Sequence, residues 1–549
     1  MKSKLNYVTL SSLLLLLYIF TLLPNIITAR RCGVDLIKPS EKVMIDMKKD
    51  NLRNLKSSPW ENIRIHFDYT YLINHKDKIS KEDVTDLTEK IMPKTKEILE
   101  KLLKVKRYTE KLILNAPTCD VYPIPDEYYD GVEADIVIFV IVDISGYYLD
   151  NQIEAAASHC LQHSEIRRPV AGYIQFKPNL DVRNNPTALD YMVWLTIHEI
   201  SHILVMNNSL YDDYINSETL EPIGYDRIIG KYKREDGKNI YNIKSSKVVE
   251  AARKHFNCSD LNGVPLEYNG GSGTVGSHWA KKYMNTDYLI GDSYGENLIS
   301  EISLALFEDS GWYQVDYKMA NLFIWGKNKG CSFFNKKCGE PLENEEDGMK
   351  TEFKDEFCTQ ANVSMCSISH VFRGSCMTFR YSDRLKPSER YFKDPFLGGY
   401  DELTDKCPIA FEIKSDFSNR YYPGSCRVGN KDSLNLKIEK ICPECACFMS
   451  SLKKPTPKNS LKISFREKNK SEILLKDGKY LASCFQFECR GSELWVVIDD
   501  KKLRCKDEDD VKIEGYEGSI KCPRNDILCN SQYDCKFGCA EKYKNVNVK

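Results

Sequence analysis

The chain shows no excess of charge. Its 78 basic and 79 acidic side chains leave a net charge of −1, with no long run of one sign. That excludes the electrostatic footprint expected of a nucleic-acid partner or of a surface held on anionic lipid. Long hydrophobic sequence is also scarce: beyond the N-terminus no apolar stretch approaches the length of a membrane span. There is no visible internal repeat, and the end, "CAEKYKNVNVK", lacks the hydrophobic tail of a lipid-anchor signal. Cysteine is nearly missing from the first half, where only Cys32, Cys119, Cys160 and Cys258 precede residue 300.

What is present begins with a targeting pattern. Lys2 and Lys4 form a basic start, "LSSLLLLLYIFTLL" a compact apolar run, and "NIITA" a small-residue end. This is the layout of a secretory signal peptide over residues 1–29, cleaved after Ala29. The expected mature protein is extracellular or in the secretory path, with no stable membrane span and room for association with a cell surface. Seventeen of the 21 cysteines lie beyond residue 300, a density that belongs to an oxidising compartment. Asn207, Asn257, Asn362 and Asn469 begin Asn-x-Ser sequons, in keeping with that route.

At 549 residues the chain is too long for one hydrophobic core. Residues 30–55 are charged and weakly patterned, and read as a pro-segment. "WENIRIHFDYTYL" alternates like a strand, "TDLTEKIMPKTKEILEKLLKVKR" has helical spacing, and "ADIVIFVIVDI" and "VAGYIQFKP" read as buried strands. "SYGENLISEISLALFEDSGWY" is helical again, and from Cys331 onward short alternating runs between cysteines and glycines predict β-rich, disulfide-held structure. Cys119 and Cys160, which flank the strand "ADIVIFVIVDI", are expected to pair, and Cys258 to pair with a cysteine beyond residue 330.

The stretch "TIHEISHILVM", residues 196–206, carries the chemistry. Asn185 can cap a helix that starts at Pro186 and runs through it without a breaker. Positions four apart share one helix face, so His198 and His202 can hold one Zn2+ between them. Glu199 would reach the attacking water rather than the metal, and can take its proton as general base. The competing explanation is two buried histidines beside a chance glutamate. A catalytic site of this kind needs a third ligand, and spacing alone leaves His66, His75, His159, His163, His255, His278 and His370 open. His278 lies in a glycine-rich approach, whereas His159 and His163, in "ASHCLQHSE", read as surface positions on a helix.

Several blocks in order carry a family resemblance: "RPVAGYIQFKPNL", "HEISHIL", "NCSDLNGVPLEYNGG", "GSHWAKKYMNTDYLIGD", "ISLALFEDSGWYQVDY" and "GYEGSIKCPRNDILC". The chain resembles leishmanolysin, the surface metallopeptidase family within the metzincins. The resemblance implies an α+β fold: a metzincin-type catalytic domain with a mixed sheet and an active-site helix, then a β-rich, disulfide-rich C-terminal region. It also implies one catalytic zinc, protein or peptide substrates, and His278 as the third ligand, 76 residues after His202. On this reading residues 56–205 form an N-terminal catalytic subdomain, 206–330 a central one carrying the third ligand, and 331–549 the cysteine-rich region.

Three positions depart from the family pattern. Val205 stands where the family turns the chain on a glycine, and a β-branched residue resists φ > 0. The helix is therefore expected to run a little longer and to turn at Asn207 and Asn208. Leu289 stands for the methionine of the turn below the zinc, a change of similar volume. The pro-segment's "RRCGVD" keeps the family's latency cysteine, Cys32, without its flanking histidines. The leading expectation is a secreted zinc endopeptidase. Against it stand a family member without catalysis, acting as an extracellular adhesion or binding protein, and a zinc hydrolase of another substrate class.

Overall fold

A computed structural model describes residues 31–32, 43–45, 55–107, 110–150, 153–180, 182, 186–234, 238–271, 274–292, 296–412, 424–427, 438–453 and 480–530. The expected signal peptide, Asn185, Asn469 and most of the pro-segment lie outside these residues. The N-terminal half is organised by one mixed sheet of six strands: β1 (Arg31–Cys32), β2 (Val43–Ile45), β3 (Ile65–Asp68), β4 (Ile136–Val142), β5 (Ile153–His163) and β6 (Pro169–Phe176). Its order is β1–β5–β6–β4–β3, with β2 also on β5. The β5–β6 pair is antiparallel and the other pairs run parallel.

The run "IVIFVIV" shows why this sheet reads as continuous apolar sequence. Ile136, Ile138, Val140 and Val142 face the main core, with Ala155, Ala157, Ile174 and Phe176. Val137, Phe139 and Ile141 face the other way, against Leu112, Leu114, Tyr128, Leu161 and Tyr173. A sheet covered on both faces needs hydrophobic residues at both alternations. The Cys119–Cys160 disulfide, the pairing expected from the sequence, fastens the outer cover to β5.

Two expectations need correction here. His159 and His163 are not surface helix positions: both lie in β5 and are buried. Their spacing of four mimics a helix face, but the flanking run "IEAAASHCLQH" is buried at every position, as a central strand demands. The helix read over residues 85–107 ends at Leu102, and Leu103–Lys106 leave as a strand with Leu103 and Val105 buried.

The helix Pro186–Leu204 lies on the inner face of the sheet, buried along its second half at Ile197, Ile200, Ile203 and Leu204. Proline is tolerated at its first position because the N–H there has no helical partner. Gly172 on β6 sets how closely helix and sheet approach. A Cβ there would meet Ile203 Cγ2 at 2.5 Å and the Ser158 carbonyl oxygen at 2.8 Å. Gly172→Ala is therefore expected to cost about 1–3 kcal/mol, the usual penalty of overpacking, read as a lower midpoint in urea. An unchanged midpoint would mean that the helix is free to slide on the sheet.

Past this half the chain winds through the helices Ser246–Phe256 and Glu301–Asp309, tied to the later region by Cys258–Cys331. That bond also matches the expectation from cysteine placement. Beyond it lies β-rich structure with seven further disulfides among the described residues. A second six-stranded sheet, built from Cys445–Ser450 and from five strands between Leu481 and Lys521, has its own core around Phe448, Phe485, Val496 and Ile520. No helix among the described residues is long and apolar enough to cross a membrane.

Candidate metal centre

The helix Pro186–Leu204 brings His198 and His202 to one face, and the segment after Thr274 brings His278 against them. Their Nε2 atoms converge, with His202 at 3.0 Å and His278 at 3.3 Å from His198. Each ring is held from behind by a backbone carbonyl. His198 Nδ1 donates to Tyr288 O (2.6 Å), His202 Nδ1 to Met206 O (2.6 Å) and His278 Nδ1 to Thr274 O (3.0 Å). A carbonyl can only accept, so Nδ1 carries the proton in all three rings and each Nε2 lone pair points inward.

Burial reinforces that state. It lowers the pKa of His198 to about 4 and of His278 to about 3. His202 lies well below the ordinary histidine value, first through burial and then through its two neighbours. At neutral pH three uncharged rings therefore present lone pairs to one point. Such an arrangement is repulsive by itself and is relieved by a cation, the form of imidazole that metals take.

A fourth group joins them. Cys32 Sγ lies 3.5 Å from His202 Nε2 and donates to Glu199 Oε2 at 3.5 Å. The thiol and the three ring nitrogens all lie within 4.8 Å of one another. A tetrahedron with Zn–N near 2.0–2.1 Å and Zn–S near 2.3 Å has N–N edges of about 3.3 Å and N–S edges of about 3.5 Å. The donor types are those zinc takes, and the three separations at 3.0, 3.3 and 3.5 Å lie near these edges. Cys32 is the only cysteine among the described residues outside a disulfide, and it is buried.

The other histidines go elsewhere. His66 stacks edge-on to Tyr128, His75 on Tyr71, and His255 and His370 bond backbone carbonyls of Trp325 and Cys447. None belongs to the cluster.

The exit from the helix corrects another expectation. The helix does not run on to the asparagines but ends at Leu204. Val205 and Met206 N–H both donate to Ser201 O at 2.8 Å, and neither Val205, Asn207 nor Asn208 takes positive φ. A wide final turn of this kind needs no left-handed residue, so a β-branched side chain fits it. It also delivers the Met206 carbonyl to His202. Leu289 is fully buried, and its carbonyl accepts from Trp279 N–H, next to His278. Sequence reasoning missed the three supporting carbonyls, because any residue type can supply one.

A family model described as leishmanolysin (peptidase family M8) matches residues 45–535. A leishmanolysin-like peptidase of Drosophila melanogaster is 26% identical over 461 residues, covering 74% of this chain and 65% of that protein. One of Caenorhabditis elegans is 26% identical over 464 residues, covering 73% and 67%. The leishmanolysin of Leishmania major is 29% identical over 276 residues, covering 50% and 40%. The chain thus spans about 65% of the length of the Drosophila relative it matches.

Proposed function

The chain belongs to the leishmanolysin family, and from that membership we propose that it is a secreted zinc endopeptidase hydrolysing peptide bonds in proteins. The observation that carries this reading is the convergence of three carbonyl-anchored imidazoles on one point beside Glu199. His198, His202 and His278 would hold a single zinc through Nε2. When bound, zinc lowers the pKa of water to roughly 7 and polarises the substrate carbonyl.

The remaining chemistry belongs to the chain. Glu199 takes a proton from the water that attacks the carbonyl carbon. The C–N bond then breaks, and Glu199 returns that proton to the departing amine. Its carboxylate Oε2 sits by Cys32 Sγ rather than among the ring nitrogens, which suits a base facing the fourth position. The backbone carbonyls of Tyr288, Met206 and Thr274 keep the three rings in the ligating tautomer throughout.

In the unprocessed chain Cys32 would fill the fourth position and hold the enzyme latent. Secretion is supported by the nine disulfides among the described residues and by the N-terminal sequence pattern. The reading of an adhesion protein without catalysis draws on Val205 and Leu289, yet Val205 needs no positive φ and Leu289 is fully buried.

The test is metal content and cleavage together. Processed protein should contain one zinc per chain, cleave casein, and lose that activity to a chelator with recovery on added zinc. Protein that binds no zinc, or cleavage indifferent to its removal, would refute the proposal.

A further inference from the structure

Two of the three rings come from segments far apart in sequence, and one buried carboxylate reaches both. Asp287 is fully buried. Its Oδ1 accepts the Leu289 N–H at 2.8 Å, its Oδ2 accepts the Ser300 hydroxyl at 2.5 Å, and the Ser303 hydroxyl lies 2.8 Å from each oxygen. The first of these bonds pins the peptide Tyr288–Leu289. Tyr288 supplies the carbonyl to which His198 donates, and its phenol donates to Ser201 Oγ, one residue before His202. The Ser303 bond leads elsewhere. Ser303 Oγ accepts the indole N–H of Trp279 at 2.9 Å, and Trp279 directly follows His278. Trp279 also donates its backbone N–H to the Leu289 carbonyl, which closes the circuit.

The geometry points to Asp287 as a positioning residue that sets His198 and His278 relative to one another and so governs how tightly the centre holds its metal. This rests on the zinc reading above. No other charged side chain among the described residues is hydrogen-bonded both to the peptide behind His198 and to the partner of the residue after His278. A buried carboxylate accepting three directed bonds in low dielectric holds its donors more rigidly than neutral acceptors do. Small displacements of a ligand ring matter because ligand orientation is imposed from outside the coordination sphere.

The experiment compares the full chain with Asp287→Ala, Asp287→Asn and Ser303→Ala. Two quantities are read: zinc affinity by competition with a chromophoric chelator, and the visible d–d spectrum of each protein saturated with Co2+. Removing an outer partner of a metal ligand typically weakens binding by about 10–100-fold, and that loss is expected for Asp287→Ala. Asp287→Asn keeps an acceptor for the Leu289 N–H and should recover part of it. The spectrum is the readout that mere destabilisation would not move, since at saturation only the arrangement of ligands shifts it. A changed spectrum is expected for Asp287→Ala and, through the Trp279 arm alone, for Ser303→Ala. If Asp287→Ala fails to fold, the Ser303→Ala spectrum and affinity decide. Wild-type uptake with unchanged affinity and spectrum in the variants would overturn the positioning role alone. Wild-type protein that takes up neither zinc nor Co2+ would overturn the zinc reading, and this one with it.

Discussion

Glu199→Gln should leave the zinc in place and remove about two to four orders of magnitude of turnover, the usual size of a general-base contribution. The separation of the two effects follows from where the carboxylate sits. The three ring nitrogens converge without it, and its Oε2 lies on the side of Cys32 Sγ. Glutamine matches the shape of a side chain that is fully buried, so the packing around the helix is retained. What it loses is the capacity to take a proton. The measurement pairs zinc analysis with kcat on a casein-derived peptide in the processed protein. Turnover near that of the wild type would remove Glu199 from the mechanism, and loss of zinc would make it a ligand instead.

The part of this site legible in the sequence is the part that a helix encodes. His198 and His202 come together because a spacing of four stacks side chains on one face, and Glu199 follows from its place directly after the first of them. The same rule misleads at His159 and His163, where an equal spacing lies on a buried strand. Periodicity over a few residues does not distinguish the two when polar side chains are buried with the rest of the strand. The third imidazole is beyond any local rule: His278 arrives after an excursion of 76 residues, and only the family resemblance singled it out from seven candidates. The carbonyls of Tyr288, Met206 and Thr274 left no trace at all, since a backbone group carries no residue preference. Val205 shows the reverse case. A missing glycine signals strain only if the turn needs a left-handed residue, and the wide turn onto Ser201 does not. The sheet was easier, because burial on both faces writes itself into "IVIFVIV".

Replacing Cys32 by serine should make the unprocessed chain active where its parent is latent. The thiol is delivered by β1, whose Arg31 and Cys32 pair in parallel with Ile153 and Ala155 of β5. A second hold lies further along the same edge, where Val43–Ile45 pair with Leu161–His163 and Ile45 is buried in the outer core. Between them these strands keep Sγ at 3.5 Å from both His202 Nε2 and Glu199 Oε2. If the centre holds zinc as proposed, a thiolate there would be a strong ligand and would take the place of the water on which the base would act. Cys32 is only 4% exposed, which does not suit a disulfide to another molecule. The family's flanking histidines are absent from "RRCGVD", and the strand pairing can supply the positioning without them. Serine keeps the shape of the side chain, but its hydroxyl stays protonated at neutral pH and binds zinc far more weakly than a thiolate. The strands themselves survive the change, so partial rather than full release is expected until the segment is removed. The check is casein cleavage by the chain from Arg30, before any processing, in the parent and in Cys32→Ser. Equal latency in the two would mean that β1 and β2 block the enzyme by covering the edge of β5, and that the thiol does not guard the metal.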